Sequence, residues 1–278
     1  MTSPLDALLP PEMARRAEEV GAAKLAMDRG RLLALAGLAG AFIALGGVFA
    51  TVALAGAGGA PWGVTRVLAG VVFSVGLVLV VVGGAELFTG NNLIVMAWAG
   101  GRVGTHALLR NWALVYVGNF AGGLGVALAV YGARLHEAGG GAFGVAALGI
   151  AAAKLQPAFG QAVLLGLLGN VLVCLAVWLS YSARSTTDRV LAVVPPIAAF
   201  VAAGFEHSVA NMYFVPFALL TAQLDPGFVA ARGLDAQALS WGGFLVRNLL
   251  PVTLGNILGG AGLVGGVYWF VYLRPRPK

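Results

Sequence analysis

His207 is the residue of this chain best placed to do chemistry, because it lies in a polar interruption of an apolar run. The stretch Gly204-Phe205-Glu206-His207-Ser208-Val209-Ala210-Asn211-Met212 breaks a hydrophobic segment that begins near Val190 and resumes from Tyr213 to Leu220. Ionisable side chains at membrane depth are costly, and they mark substrate pathways. An earlier stretch, Gly84-Ala85-Glu86-Leu87-Phe88-Thr89-Gly90-Asn91, repeats the pattern Gly-x-Glu-x-x-x-x-Asn between apolar flanks. Leu87 stands in the first copy where His207 stands in the second, and that asymmetry points His207 toward function. Thr89 offers a hydroxyl to the same solute. Glu86 and Glu206 hold matching places, so a shared structural job is expected. Each would accept hydrogen bonds from backbone N–H groups freed by a helix break. Asn91 and Asn211 are expected to stitch the unwound backbone in the same way. The site is expected where the two breaks meet.

The elements that position these residues are membrane spans. The chain has 278 residues, 59% hydrophobic and 10% charged. A soluble domain carries about 25% charged residues, so this is an integral membrane protein, with room for about six spans of ~20 residues. Forty-two glycines suggest closely packed transmembrane helices. Residues 1–30 form an N-terminal segment without signal-peptide composition, in which 12–28 reads as an amphipathic helix at the membrane surface. Spans are expected at 32–55, from 64 with a break at 84–92 and a half-helix at 93–99, and at 108–131. Further spans follow at 157–181, from 190 to 221 with a break at 206–211, and at 244–272. The stretch 132–155 reads as a long connection containing a short surface helix at 145–153. The channel domain is thus 31–273, followed by a tail at 274–278.

Two features order these spans. Arg110-Asn111 followed by Gly118-Asn119-x-x-Gly122-Gly123 recurs as Arg247-Asn248 followed by Gly255-Asn256-x-x-Gly259-Gly260. Together with the two breaks, this pairs span two with five and span three with six, in repeats at about 31–134 and 157–273. Each repeat has three spans, so the second enters from the opposite side, and inverted repeats with broken helices place a solute site near the midplane. Twelve lysines and arginines fall at the termini and on the second and fourth connections, against five elsewhere, which puts both termini in the cytoplasm.

Other residues leave alternatives open. Phe73 and Leu77, four apart, share a helix face and serve either pore lining or core packing. Lys154, just before Pro157, is either an anion collector or a snorkelling lysine. Cys174, the single cysteine, reads as a packing residue. The basic residues are scattered over loops, which argues against nucleic acid. His106, His136 and His207 fall in separate segments, so no metal site, cofactor or enzyme activity is expected. A water or polyol pore would carry Asn-Pro-Ala at both breaks, and neither has it.

The stretches GAELFTGNN (84–92), NVLVCLAVWLSYSARS (170–185), GFEHSVANM (204–212) and NLLPVTLGNILGG (248–260) resemble the formate/nitrite transporter family, most closely its formate channels. The resemblance covers residues 20–273. It implies an all-α, aquaporin-like fold of six helices, with the second and fifth broken, assembled as a homopentamer with one pore per protomer. His207 and Thr89 look like the central pore pair, and Leu87 and Phe88 like a loop that gates or lines the pore. Phe73, Leu77, Val173 and Phe200 resemble the apolar constrictions. Lys154 resembles an outer-vestibule lysine, Asn170 a buried asparagine nearby, and the N-terminal segment a helix proposed to gate the cytoplasmic mouth. One departure is Gly90-Asn91-Asn92, where the family commonly has small β-branched or hydroxyl residues. The implied function is passive or proton-coupled passage of a small monovalent anion across the inner membrane. Formate comes first, favoured by Asn248-Leu-Leu-Pro-Val-Thr, with nitrite and then hydrosulfide as alternatives.

Overall fold

A computed structural model describes residues 7–237 and 239–275, and among these residues every regular element is helical. Residues 1–6, at the start of the N-terminal segment, and 276–278, most of the tail, lie outside the described residues. Six helices are long and apolar enough to cross a membrane: α2 (Arg29–Leu54), α3 (Trp62–Gly83), α5 (Thr105–Gly132), α7 (Phe159–Ser182), α8 (Thr186–Ala203) and α11 (Trp241–Tyr272). Shorter helices are α1 (Pro10–Leu25), α4 (Val95–Ala99), α6 (Ala142–Leu155), α9 (Ser208–Leu224) and α10 (Pro226–Ala230). At 18 to 32 residues apiece, the long helices satisfy their backbone groups internally, as lipid demands. Side chains fix some starts: Asp28 accepts from Arg31 N–H at 3.0 Å, and Ser185 with Asp188 forms a capping box. Pro195 and Pro196 lie inside α8 without ending it.

The packing falls into two matched halves. In the first, α2 packs on α3 and α5; in the second, α7 packs on α8 and α11. The α3–α8 and α5–α9 contacts join them. Both halves break their middle span with a left-handed glycine. Gly84, at φ 77°, ends α3, and Gly204, at φ 76°, ends α8. A β-carbon would be strained at either position. After Gly84 the chain turns back, Glu86 N–H bonding Leu35 O at 3.2 Å, and passes through a 3-10 segment, Gly90–Ile94, into α4. After Gly204, Glu206 N–H bonds Leu165 O at 3.1 Å, and α9 begins at Ser208.

Three expectations need correction. The second break is 204–207 rather than 206–211, because His207 caps α9 and Asn211 is already helical. The stretch 132–155 carries no mere surface helix. Its glycines at 139, 140 and 141 adopt positive φ, and α6 then buries Phe143, Ala147, Leu148, Ala151 and Leu155 and packs against α9. Nor does α1 simply lie on a surface: Met13, Ala14 and Ala17 are buried in one cluster with Met96 and Trp178.

Candidate functional site

Each break is held by the same set of side chains. In the first half, Lys24 of α1 lies 3.0 Å from Glu86 Oε1 and donates to Asn91 Oδ1 at 2.7 Å. Asn91 Nδ2 donates to Glu86 Oε2 at 2.8 Å and to Asn111 Oδ1 at 3.1 Å. In the second half, Lys154 of α6 lies 3.1 Å from Glu206 Oε1, and Asn211 Nδ2 donates to Glu206 Oε2 at 2.6 Å and to Asn248 Oδ1 at 2.7 Å. The freed backbone belongs to other asparagines. Phe88 N–H donates to Asn119 Oδ1 at 2.8 Å, while Asn119 Nδ2 reaches the carbonyls of Ala36 and Glu86. Ser208 N–H donates to Asn256 Oδ1 at 2.9 Å, while Asn256 Nδ2 reaches the carbonyls of Gly166 and Glu206.

This geometry corrects the sequence reading of four residues. Glu86 and Glu206 take ammonium and amide donors instead of backbone N–H groups, and Asn91 and Asn211 bond those carboxylates instead of the unwound chain. The reason is charge: a buried carboxylate is best compensated by a cation, and neutral amides suffice for neutral peptide groups. Lys154 is no free collector, since its side chain is 14% exposed and bonded to Glu206.

Between the two brackets sit His207 and Thr89, both buried, with Nε2 2.8 Å from Oγ1. His207 Nδ1 accepts the N–H of Ala210 at 3.1 Å, which caps α9. That acceptor role assigns the proton of the neutral ring to Nε2, so Nε2–H donates to Thr89 Oγ1 and the threonine hydroxyl is left to donate elsewhere. The Thr89 carbonyl is fixed by Asn170 Nδ2 at 3.3 Å and by Cys174 Sγ at 3.2 Å. Asn170 also donates to Asn92 Oδ1 and to Asn256 O, tying both halves together. Cys174 therefore does more than pack.

The apolar residues divide. Phe73 meets Phe200 edge to face at 6.0 Å, and Phe200 meets the His207 ring at 5.9 Å. Leu77 and Leu87 line a cavity of about 510 Å³ beside Lys24 and Glu86, into which Arg16, Arg184 and Arg189 also face. Val173 is buried in the same core. Phe88 is turned away from its neighbour Leu87, packing edge-on against Tyr116 at 4.9 Å and Trp112 at 6.2 Å of α5. Its side chain belongs to a helix contact.

Sequence reasoning missed Lys24, although a signal existed: Ala22-Ala23-Lys24-Leu25 recurs identically as Ala152-Ala153-Lys154-Leu155. It also missed one cluster with metal-ligand geometry, His136, Glu137 and Asp225, because residues 136 and 225 are distant in sequence. These groups already have partners: Arg134 Nε donates to Glu137 at 2.9 Å, and His136 Nε2 lies 3.2 Å from Asp225. Arg134 holds the Glu137 carboxyl below its ordinary range, and the Phe228 N–H, with His136 second, does so for Asp225.

Six apolar spans around a buried polar pair, with lysine–carboxylate brackets on both sides, define a membrane protein built to pass a small polar solute. A family model described as formate/nitrite transporter matches residues 11–270. The chain is 43% identical to the formate channel FocA of Escherichia coli K12, over 98% of this chain and 97% of that one. It is 38% identical to a probable formate transporter of Methanothermobacter thermautotrophicus, over 95% and 97% of the two chains. A solved structure of a pentameric formate channel with formate bound superposes with a TM-score of 0.83 at 44% identity, covering 88% of this chain and 98% of that one. This chain belongs to the formate/nitrite transporter family.

Proposed function

We propose that this protein is a homopentameric channel for a small monovalent anion, formate first, in which each protomer passes its solute at His207 and Thr89 with a proton. The observation that carries the reading is the buried His207–Thr89 contact, reached from Lys24 on one face and from Lys154 and the Phe73–Phe200 pair on the other. Both termini lie on the cytoplasmic side of the inner membrane in this reading. Nitrite is the alternative, since the family's description covers both anions.

Moving a bare carboxylate through an apolar constriction has an idealised cost of order 20 kcal/mol, and several kcal/mol after relaxation. Protonating it first is cheaper. Transfer from an imidazolium to the carboxylate removes both charges from the buried site, which lowers the desolvation cost of passage. The donor must be imidazolium. Nε2 already carries its proton, so uptake goes through Nδ1 and releases the Ala210 N–H. The Thr89 hydroxyl holds a carboxylate oxygen while the proton moves.

His207→Asn keeps a polar group and cannot deliver a proton. Formate uptake into liposomes with a trapped pH dye, scanned from about pH 5 to 8, is expected to lose its proton-linked component in this variant. Proton-linked uptake equal to the parent's across that range would refute the mechanism. Parallel uptake of nitrite, chloride and hydrosulfide ranks the substrates.

A further inference from the structure

One aromatic ring stands between the Lys154 bracket and the Phe73–Phe200 pair, and neither the breaks nor the repeat accounts for it. Phe214 lies on α9, seven residues beyond His207. Lys154 Nζ sits 5.4 Å from its ring centroid, within the range of a cation–π contact. The ring lies nearly parallel to Phe73, at 16° with centroids 6.5 Å apart. A continuous series of contacts thus runs from Lys154 through Phe214, Phe73 and Phe200 to His207 and Thr89. Phe214 is 8% exposed against 3% for Phe73 and Phe200. Gly47 of α2 gives room to Tyr213 and Phe214: a methyl group there would stand 2.7 Å from Tyr213 Cδ1 and 3.2 Å from Phe214 Cζ. The matching place in the first half is the aliphatic Ile94.

We infer that Phe214 is a specificity-determining residue, the third ring of the constriction on the Lys154 side, and that it limits the size of the carboxylate admitted from that face. Phe214 thus joins the Lys154–Glu206 pair to the Phe73–Phe200 rings. A one-carbon carboxylate passes between three phenyl groups. A methyl on the carboxylate carbon meets the Phe214 ring.

The inference rests on the channel reading above, and one experiment separates the two. Liposomes carrying the parent, Phe214→Leu or Phe214→Ala are assayed for uptake of formate, nitrite and acetate, with assembly followed by gel filtration. The acetate-to-formate uptake ratio is expected to rise at least threefold in Phe214→Ala and by a smaller factor in Phe214→Leu. If Phe214→Ala does not assemble, the near-isosteric leucine variant decides, and a ratio unchanged in an assembled variant overturns the inference. If the parent carries nitrite but no formate, the formate reading falls, and the size limit is judged on the acetate-to-nitrite ratio. A residue that only packs would change yield without moving either ratio.

Discussion

Lys154 and Glu206 show what burial does to a charge that sequence alone would leave free. The pair is 14% and 7% exposed, and the carboxylate also takes Asn211, so removing the lysine strands a negative charge among neutral amides. Breaking a buried ion pair from one side costs about 3–5 kcal/mol, whereas replacing both partners by neutral groups is often tolerated. Lys154→Met is therefore expected to lower the thermal unfolding temperature in detergent, and Lys154→Met/Glu206→Gln to recover most of the loss. Equal stability of Lys154→Met and parent would show that the pair contributes nothing. The sequence reading of Lys154 as a collector or a snorkelling residue was reasonable from its place beside Pro157. What it lacked was the partner, 52 residues away, which only the return of the chain after Gly204 brings close.

At the scale of elements, the breaks were legible and their fastenings were not. Gly84 and Gly204 adopt left-handed backbone where the repeated Gly-x-Glu pattern placed the interruptions, because polar residues beside glycine disfavour a continuing span. Asn119 and Asn256 were also visible, as part of the Gly-Asn-x-x-Gly-Gly repeat, but only as marks that pair the third span with the sixth. Their role is a division of labour between neighbours: each amide faces one backbone N–H and one carbonyl of the adjacent break, and ties them to a carbonyl of a long helix beside it. A buried polar group left unpaired costs roughly 1–3 kcal/mol. Asn256→Ala orphans Ser208 N–H and the Glu206 carbonyl and loses the tie to Gly166 O, so it is expected to destabilise the protein by several kcal/mol. Asn256→Asp keeps the acceptor and loses both donors, so it is expected to fall nearer to alanine than to the parent. Denaturation in mixed micelles checks the order, and a wild-type-like alanine variant would mean that the break is held elsewhere.

Across the whole molecule, the matched brackets change what the N-terminal helix is. Lys24 stands to Glu86 as Lys154 stands to Glu206, and both lysines close an Ala-Ala-Lys-Leu sequence ahead of a span. Each half therefore comprises a short helix carrying a lysine and three spans, with α1 the counterpart of α6. Resemblance to the family suggests a gate at the mouth, and the cavity of about 510 Å³ under α1 fits such a role. Yet α1 also buries Met13, Ala14 and Ala17 against Met96 and Trp178, and its entry is pinned by Ser182 Oγ donating to Leu8 O at 3.1 Å. A helix that is only a lid can be removed without harm to the rest; one that compensates a buried carboxylate cannot. A chain starting at Asp28, which retains the cap of α2, loses the cation beside Glu86 and uncovers an apolar patch. It is expected to unfold at lower temperature and to yield less assembled protein, with about 3–5 kcal/mol of the loss arising from the stranded charge. Glu86→Gln introduced into the shortened chain removes that charge and is expected to restore part of the stability, leaving the deficit from the lost apolar contacts. A shortened chain that unfolds at the parent's temperature and takes up formate faster would make α1 a detachable lid, and the equivalence with α6 would then be one of geometry without energetic weight.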